Sequence, residues 1–153
     1  MKKILASVMA LMLLFVAGCG QENTASVSGE EADPWGITLS VEDVTNTGMT
    51  LVCTQSGGKF KGELQTGTPF VLERFVEEEW FPVTTRTDEE VAWTMVALGI
   101  QPNAVTKWKV DWEFLYGHLE PGTYRLSKEI CDFRGPGKVT DKIYFVEFSI
   151  DEL

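Results

Sequence analysis

The chain has 153 residues, of which 44% are hydrophobic and 11% aromatic, a content that favours one folded domain and excludes a wholly disordered chain. Its formal net charge is −10. An excess of carboxylates disfavours nucleic-acid binding, which depends on neutralising phosphates, and electrostatic attachment to an anionic membrane.

Residues 1–18 have the pattern of a secretory signal peptide. Met1-Lys2-Lys3 precedes an apolar run, from Ile4 to Val16, that is too short to span a bilayer comfortably. The run ends in Val-Ala-Gly before Cys19, which resembles the lipobox of bacterial lipoproteins. The resemblance implies that Cys19 becomes a diacylated N-terminus, with palmitate-like chains, at the outer face of the cytoplasmic membrane. The alternative is ordinary secretion with Cys19 left as a free thiol.

Residues 19–34 are predicted to form a tether that carries the lipid at Cys19. The segment from Gly20 to Pro34 is small, polar and acidic, so it has almost nothing to bury. Residues 35–153 are predicted to form the folded module.

From Trp35 onward, apolar and polar residues alternate with the period of two that is typical of half-buried strands. The residues predicted to face inward are Ile37, Leu39 and Val41; Met49, Leu51 and Cys53; Trp108, Val110 and Trp112; Tyr124, Leu126 and Ile130; and Tyr144, Val146, Phe148 and Ile150. A hairpin is predicted between Phe70–Val76 and Trp80–Thr84, while Gly62–Pro69 and Asp132–Thr140 are predicted loops.

Seven or eight short strands without a convincing long helix predict an all-β antiparallel sandwich. Val91–Ile100 fits either a strand or one to two helical turns, and this alternative stays open. The pattern does not order the strands into sheets.

The run Leu119-Glu120-Pro121-Gly122-Thr123-Tyr124 looks like a tyrosine corner between two strands. Pro121 fixes φ at one turn position, and Gly122 tolerates φ > 0 at the next. Tyr124 is then expected to bury its ring and to donate its hydroxyl to a backbone group upstream. The alternative is a simple turn followed by an ordinary core tyrosine.

Several motifs together resemble the bacterial immunoglobulin-like domain of small lipoproteins and surface proteins of Gram-positive bacteria. They are Gly48-Met49-Thr50-Leu51, Gln55-Ser56-Gly57-Gly58, Gly62 to Gly67, Trp108 with Asp111-Trp112, Pro121-Gly122-x-Tyr124-Arg125, and Asp132-Phe133-Arg134. The resemblance spans nearly all of Thr38 to Ile150, and it implies an immunoglobulin-like sandwich outside the cytoplasm without an established activity. Antibody domains place a Cys two residues after the corner Tyr, where this chain has Leu126.

The sequence predicts no catalytic residues, no metal site and no cofactor. His118 is the only histidine, so histidine metal clusters are excluded, and its place before the corner is typical of a solvated turn. The Glu77-Glu78-Glu79 run lacks the ligand spacing of calcium loops. A glycosidase pair needs a deep cleft, which a sandwich of this size rarely offers.

The function predicted is a non-enzymatic, lipid-anchored binding module with a protein or cell-wall glycan as partner. A contiguous exposed apolar or aromatic patch is expected to accompany it. Trp35, Trp80 and Trp93 are the candidate sugar platforms, although each also suits the edge of a core. The alternative is a small cell-envelope hydrolase or a sensory accessory of a membrane enzyme, with His118 close to Thr123 or Ser127.

Cys53 and Cys131 are predicted to remain unbridged. They fall on strands that face each other in an immunoglobulin order, but alternation places Cys131 on the opposite side of its strand from the core. Cys53 is expected to be buried as a small hydrophobe.

Overall fold

A computed structural model describes residues 33–86, 93–94 and 96–152. The predicted leader, Cys19 and all of the tether before Asp33 lie outside the described residues. Asp33 itself belongs to the folded module, because its carboxylate accepts the N–H groups of Trp35 and Ile37 (3.0 and 2.8 Å) and the Tyr144 hydroxyl (2.9 Å). The module thus extends two residues further toward the N-terminus than predicted.

The described residues form nine strands and one short helix, in place of the seven or eight strands predicted. They are β1 (Ile37–Glu42), β2 (Gly48–Gln55), β3 (Glu63–Thr66), β4 (Val71–Val76), β5 (Glu79–Pro82), β6 (Leu98–Gly99), β7 (Val105–Asp111), α1 (Glu113–Tyr116), β8 (Gly122–Phe133) and β9 (Val139–Ile150). No helix in this part of the chain is long and apolar enough to cross a membrane.

The strands form two antiparallel sheets, so the predicted sandwich is confirmed. One sheet has the order β1-β2-β7. The other is organised on β8, which pairs along its whole length with β9 on one side. On its other side β8 pairs first with β4 and then with β3, and β5 and β6 extend those two strands.

The core lies between the two sheets and follows the predicted alternation. Leu39, Leu51 and Cys53 enter it from the three-stranded sheet, and Leu126 and Ile130 enter it from β8; all are at most 1% exposed. An aromatic stack closes one end, since Trp112 and Tyr124 pack on either side of Phe148 with centroids at 5.5 and 5.8 Å.

Two predicted loops are wrong in their extent. Gly62–Pro69 contains strand β3, and the loop predicted at Asp132–Thr140 is confined to 134–138, because β8 continues to Phe133 and β9 begins at Val139. The buried carboxylate of Asp132 connects the two segments, because it accepts the N–H groups of Lys61 and Gly62, just before β3, at 3.1 and 2.6 Å. A Cβ on Gly62 would lie 2.0 Å from the Phe133 carbonyl oxygen, so only glycine allows this approach.

Of the ambiguous Val91–Ile100 stretch, Val91, Ala92 and Met95 lie outside the described residues. Leu98–Gly99 forms the short strand β6 beside β3. Trp93 packs edge-on against Phe70, with centroids 5.3 Å apart.

Candidate interaction surface

One outward-facing surface carries most of the exposed apolar side chains of the larger sheet. Because Leu72, Leu126 and Val146 pair across β4, β8 and β9 and point inward, their neighbours point outward. The outward rows are Val71, Ser127 and Phe145, and beside them Glu73, Arg125 and Glu147. We call the surface formed by Val71, Phe75, Trp80, Ile143 and Phe145 around the Arg125–Glu73 pair the aromatic face.

Arg125 is the centre of the aromatic face. Its Nε and second terminal nitrogen donate to the two carboxylate oxygens of Glu73 at 2.5 and 3.0 Å. Its guanidinium also lies over the rings of Trp80 and Phe145, 4.6 and 4.8 Å from their centroids. The hydrogen bond to Glu73 is the main reason that the pKa of Arg125 is raised. Two parallel bonds and two aromatic neighbours hold the guanidinium rigidly.

The apolar members of the aromatic face are strongly exposed. Phe75 and Phe145 are 42% and 43% exposed, while Val71 and Ile143 are 51% and 63% exposed. Trp80 is less exposed, because it packs on Phe75 with centroids 4.9 Å apart. Exposed apolar side chains gathered on one surface of a folded domain are typical of an interaction site.

The outer surface of the three-stranded sheet is different. Its outward residues are mainly hydroxyl-bearing or charged, such as Thr38, Ser40 and Thr50, and Lys107 forms an ion pair with Glu42 at 2.7 Å. An ordinary solvated strand surface has this composition. Val105 is an exposed apolar residue of this surface, at 57%, whereas several such residues lie together on the outward side of the larger sheet.

The candidate sugar platforms do not come together. Trp35 is buried and lies near Tyr144, and Trp93 is partly buried against Phe70. Trp80 belongs to the aromatic face, but Arg125 covers its ring. Trp108 and Trp112 are partly and fully buried, as alternation predicted.

His118 is exposed and does not contact a nucleophile. Its Nε2 lies 3.1 Å from a Glu113 carboxylate oxygen, and its Nδ1 lies 3.4 Å from the Asn46 amide nitrogen. Glu113 lines an open depression with Arg86, Asp111 and Phe114.

Among the described residues no group of His, Cys, Asp or Glu is placed to hold a metal ion. The three consecutive glutamates lie at the β4–β5 turn, where Glu77 and Glu78 have φ of 50° and 67°. Arg134, from the recognised Asp-Phe-Arg motif, donates to the Thr140 hydroxyl at 2.6 Å.

The corner residues serve the fold. Tyr124 is 2% exposed and its hydroxyl donates to the Glu120 carbonyl at 2.8 Å, which is the bond of a tyrosine corner. Pro121 accepts a bond from Arg74 at 3.1 Å, and Gly122 begins β8.

The two cysteines of the module are free, so the prediction of unbridged thiols is confirmed. Cys53 is fully buried, and burial raises its pKa to about 12. Cys131 is on the outward side of β8. Burial, followed by the charges of Asp141 and Glu129, raises its pKa as well.

Four residues of the aromatic face were not predicted as functional: Arg125, Glu73, Phe75 and Phe145. A signal was present: alternation that points Tyr144, Val146 and Phe148 inward necessarily points Phe145 outward. The contact with Arg125 and Trp80 depends on strand register, which one sequence does not reveal.

One comparison with known proteins, that with a family model, agrees with this architecture. No curated protein and no solved structure matches the chain. The family model of the bacterial Ig-like domain matches residues 33–147, which begin at the same Asp33 that caps β1. Domains of this family are generally non-enzymatic interaction modules and are typically extracellular or surface-exposed. The chain therefore belongs to the bacterial Ig-like domain family.

Proposed function

We propose that this protein is a lipid-anchored, extracytoplasmic interaction module that holds a partner on its aromatic face and performs no chemistry itself. The observation that carries the proposal is the concentration of exposed apolar side chains on one sheet surface, beside a polar surface on the other sheet. The rigid Arg125–Glu73 pair at its centre supports a surface that is already organised before a partner arrives.

The anchor belongs to the proposal because of the N-terminal sequence. A basic start, a short apolar run and small residues before Cys19 favour acylation of that cysteine. Two acyl chains hold a protein on a membrane far more firmly than one. The module would then stand at the outer face of the cytoplasmic membrane, at the cell surface.

Replacing Cys19 tests the anchor. The Cys19→Ala variant is expected to leave the membrane fraction and to appear in the soluble extracellular or periplasmic fraction, since the acyl chains have no other site. A Cys131→Ala variant is the matched control and should stay with the membrane. Retention of the Cys19→Ala protein in washed membranes would contradict the lipid anchor.

Site-specific photo-cross-linking in intact cells tests the interaction surface. The full chain carries benzoylphenylalanine either at Ile143, on the aromatic face, or at Thr38, on the outer surface of the other sheet. We expect discrete cross-linked products from position 143 and none from position 38. Equal patterns from both positions, or none from either, would overturn the proposal.

A further inference from the structure

The aromatic face is surrounded by carboxylates. The outward positions of β3, β8 and β9 carry four acidic residues in addition to the central Glu73, and we call these four the acidic border. They are Glu63, Glu129, Asp141 and Glu147. All four are exposed, so they face an approaching partner.

Arg125 is the only cation at the outward positions of β3, β4, β5, β8 and β9, within the range that the structure describes. Its charge is already matched by the bidentate contact with Glu73. The surface therefore offers a partner exposed apolar side chains around a paired guanidinium, together with more carboxylates than cations.

These charges discriminate between possible occupants. An anionic membrane would be repelled by the acidic border. A second copy would bring the same carboxylates against their counterparts, and like charges placed opposite each other disfavour docking. A glycan needs a free ring surface for stacking, whereas Arg125 already covers Trp80 and one side of Phe145.

Resting on the proposed function, we infer that the occupant of the aromatic face is a polypeptide segment that presents apolar side chains flanked by lysine or arginine. Its apolar side chains would pack on Phe75, Val71 and Phe145. Its cationic side chains would reach Glu129 and Glu147 at the border. Burial of apolar area supplies the affinity, while the charges fix orientation and speed association.

The test uses the full chain, isotope-labelled and purified in detergent, with three synthetic peptides. The first peptide is Lys-Lys-Leu-Phe-Leu-Lys-Lys; the second has Glu in place of every Lys, and the third keeps the lysines but has a Ser-Gly-Ser centre. We expect amide shifts at Arg125 and Phe145, and not at Thr38, with the first peptide. Its affinity should exceed that of the other two by about tenfold or more and should fall as salt is added.

Charge reversal at the border provides the matched variants. Glu129→Lys with Glu147→Lys should weaken binding of the first peptide by about tenfold, since the border then repels it. Asp151→Lys with Glu152→Lys makes the same change in net charge beyond the end of β9 and should leave the affinity almost unchanged. Equal losses in the two double variants would mean that only net charge matters, and would overturn the inference.

Other occupants give other results. If the first peptide gives no response, three further titrations identify another occupant by an amide shift at Phe145. A shift with chitohexaose would indicate a glycan, and a shift with phosphatidylglycerol vesicles would indicate a membrane. A shift with rising protein concentration alone would indicate a second copy of the chain. Cross-links from position 143 to acidic segments would leave the interaction function standing and overturn the charge inference alone. Absence of cross-links from position 143 would remove the interaction function itself.

Discussion

Tyr124 shows how one hydroxyl supports the fold. The ring packs on Phe148, and the hydroxyl bonds to the Glu120 carbonyl four residues upstream. Tyr124→Phe keeps the ring and leaves that carbonyl without this partner, so the free energy of unfolding should fall by about 1–2 kcal/mol. Denaturant melting of the variant against the parent protein measures the change.

Glu120→Ala is the matched control for this prediction. It removes the exposed ion pair with Arg74 at 3.3 Å but keeps the carbonyl that accepts the Tyr124 hydroxyl. Its stability should lie within about 0.5 kcal/mol of the parent. If Tyr124→Phe melts with the parent, the corner bond contributes nothing to stability.

Lys128 is a buried amine on the inward side of β8, and burial lowers its pKa to about 8. Its Nζ donates to the carbonyls of Gly67 and Pro69 at 2.6 and 3.0 Å. A neutral amine still has two hydrogens for these two acceptors, so losing the proton breaks neither bond.

This lowered pKa predicts a rise of stability with pH. In the unfolded chain the pKa returns to about 10.4, so between pH 8 and 10 the unfolded state binds more protons and folding becomes more favourable. From pH 7 to 9.5, the free energy of unfolding of the parent should rise by on the order of 2 kcal/mol relative to Lys128→Met.

Lys107→Met is the control for the pH series. Lys107 is exposed and paired with Glu42, so the variant removes one lysine and leaves the buried amine of Lys128 in place. The free energy of unfolding of the parent minus that of Lys128→Met is the quantity to follow. If this difference does not change from pH 7 to 9.5, Lys128 keeps an ordinary pKa in the fold.

At the scale of elements, the β4–β5 hairpin carries strain in its turn. Val76 pairs with Glu79, and the two residues between them, Glu77 and Glu78, both have positive φ. A two-residue turn of this kind favours Asn-Gly, and a residue with a Cβ costs about 1–2 kcal/mol in the left-handed region. Glu77→Asn with Glu78→Gly should therefore raise the free energy of unfolding by about 1–2 kcal/mol.

The charge and the backbone contributions at this turn are separable. Glu77→Gln with Glu78→Gln removes both charges but keeps both Cβ atoms, so it should give much less stabilisation than the Asn-Gly pair. Chemical denaturation of the three proteins under one buffer compares them. Equal gains in the two variants would assign the effect to charge repulsion instead of backbone strain.

Strands with an apolar–polar alternation could be predicted from the sequence, and those without it could not. Ile37, Leu39 and Val41 alternate cleanly, and β1 lies where they predict. Strand β3 offers only Leu64 and Thr66 to the interior, and its polar composition is that of a loop. What makes it a strand is pairing with β8, assisted by Asp132 from 70 residues away in sequence.

The aromatic face could be predicted only in part, for a related reason. Alternation alone indicates that Phe145 and Ile143 point away from the core. Arg125 lies between Trp80 and Phe145 only because the strands follow the order β5-β4-β8 with β9 on the other side of β8. The register of each strand pair must also be the observed one. Strand order and register depend on long-range pairing, which a single sequence does not encode locally.

At the scale of the whole molecule, the sandwich separates two kinds of surface. The three-stranded sheet presents hydroxyls and a compensated ion pair to solvent. The larger sheet presents exposed apolar side chains beside the acidic border, and exposed apolar area is unfavourable for solubility unless a partner covers it. The net charge of −10 offsets that cost in the free protein, because it discourages self-association.

The two thiols of the module report on whole-molecule opening. Cys53 lies between the sheets with no exposed surface, and burial raises its pKa to about 12, so the reactive thiolate is scarce at pH 8. Cys131 lies on the outward side of β8.

In the full chain carrying Cys19→Ala, iodoacetamide at pH 8 should modify Cys131 first, and Cys53 only at the rate at which the sandwich opens globally. Denatured, unreduced protein should titrate two thiols, and Cys131→Ser should leave one. Modification of Cys53 as fast as Cys131, or an absence of titratable thiols, would contradict the packing of β2 against the larger sheet.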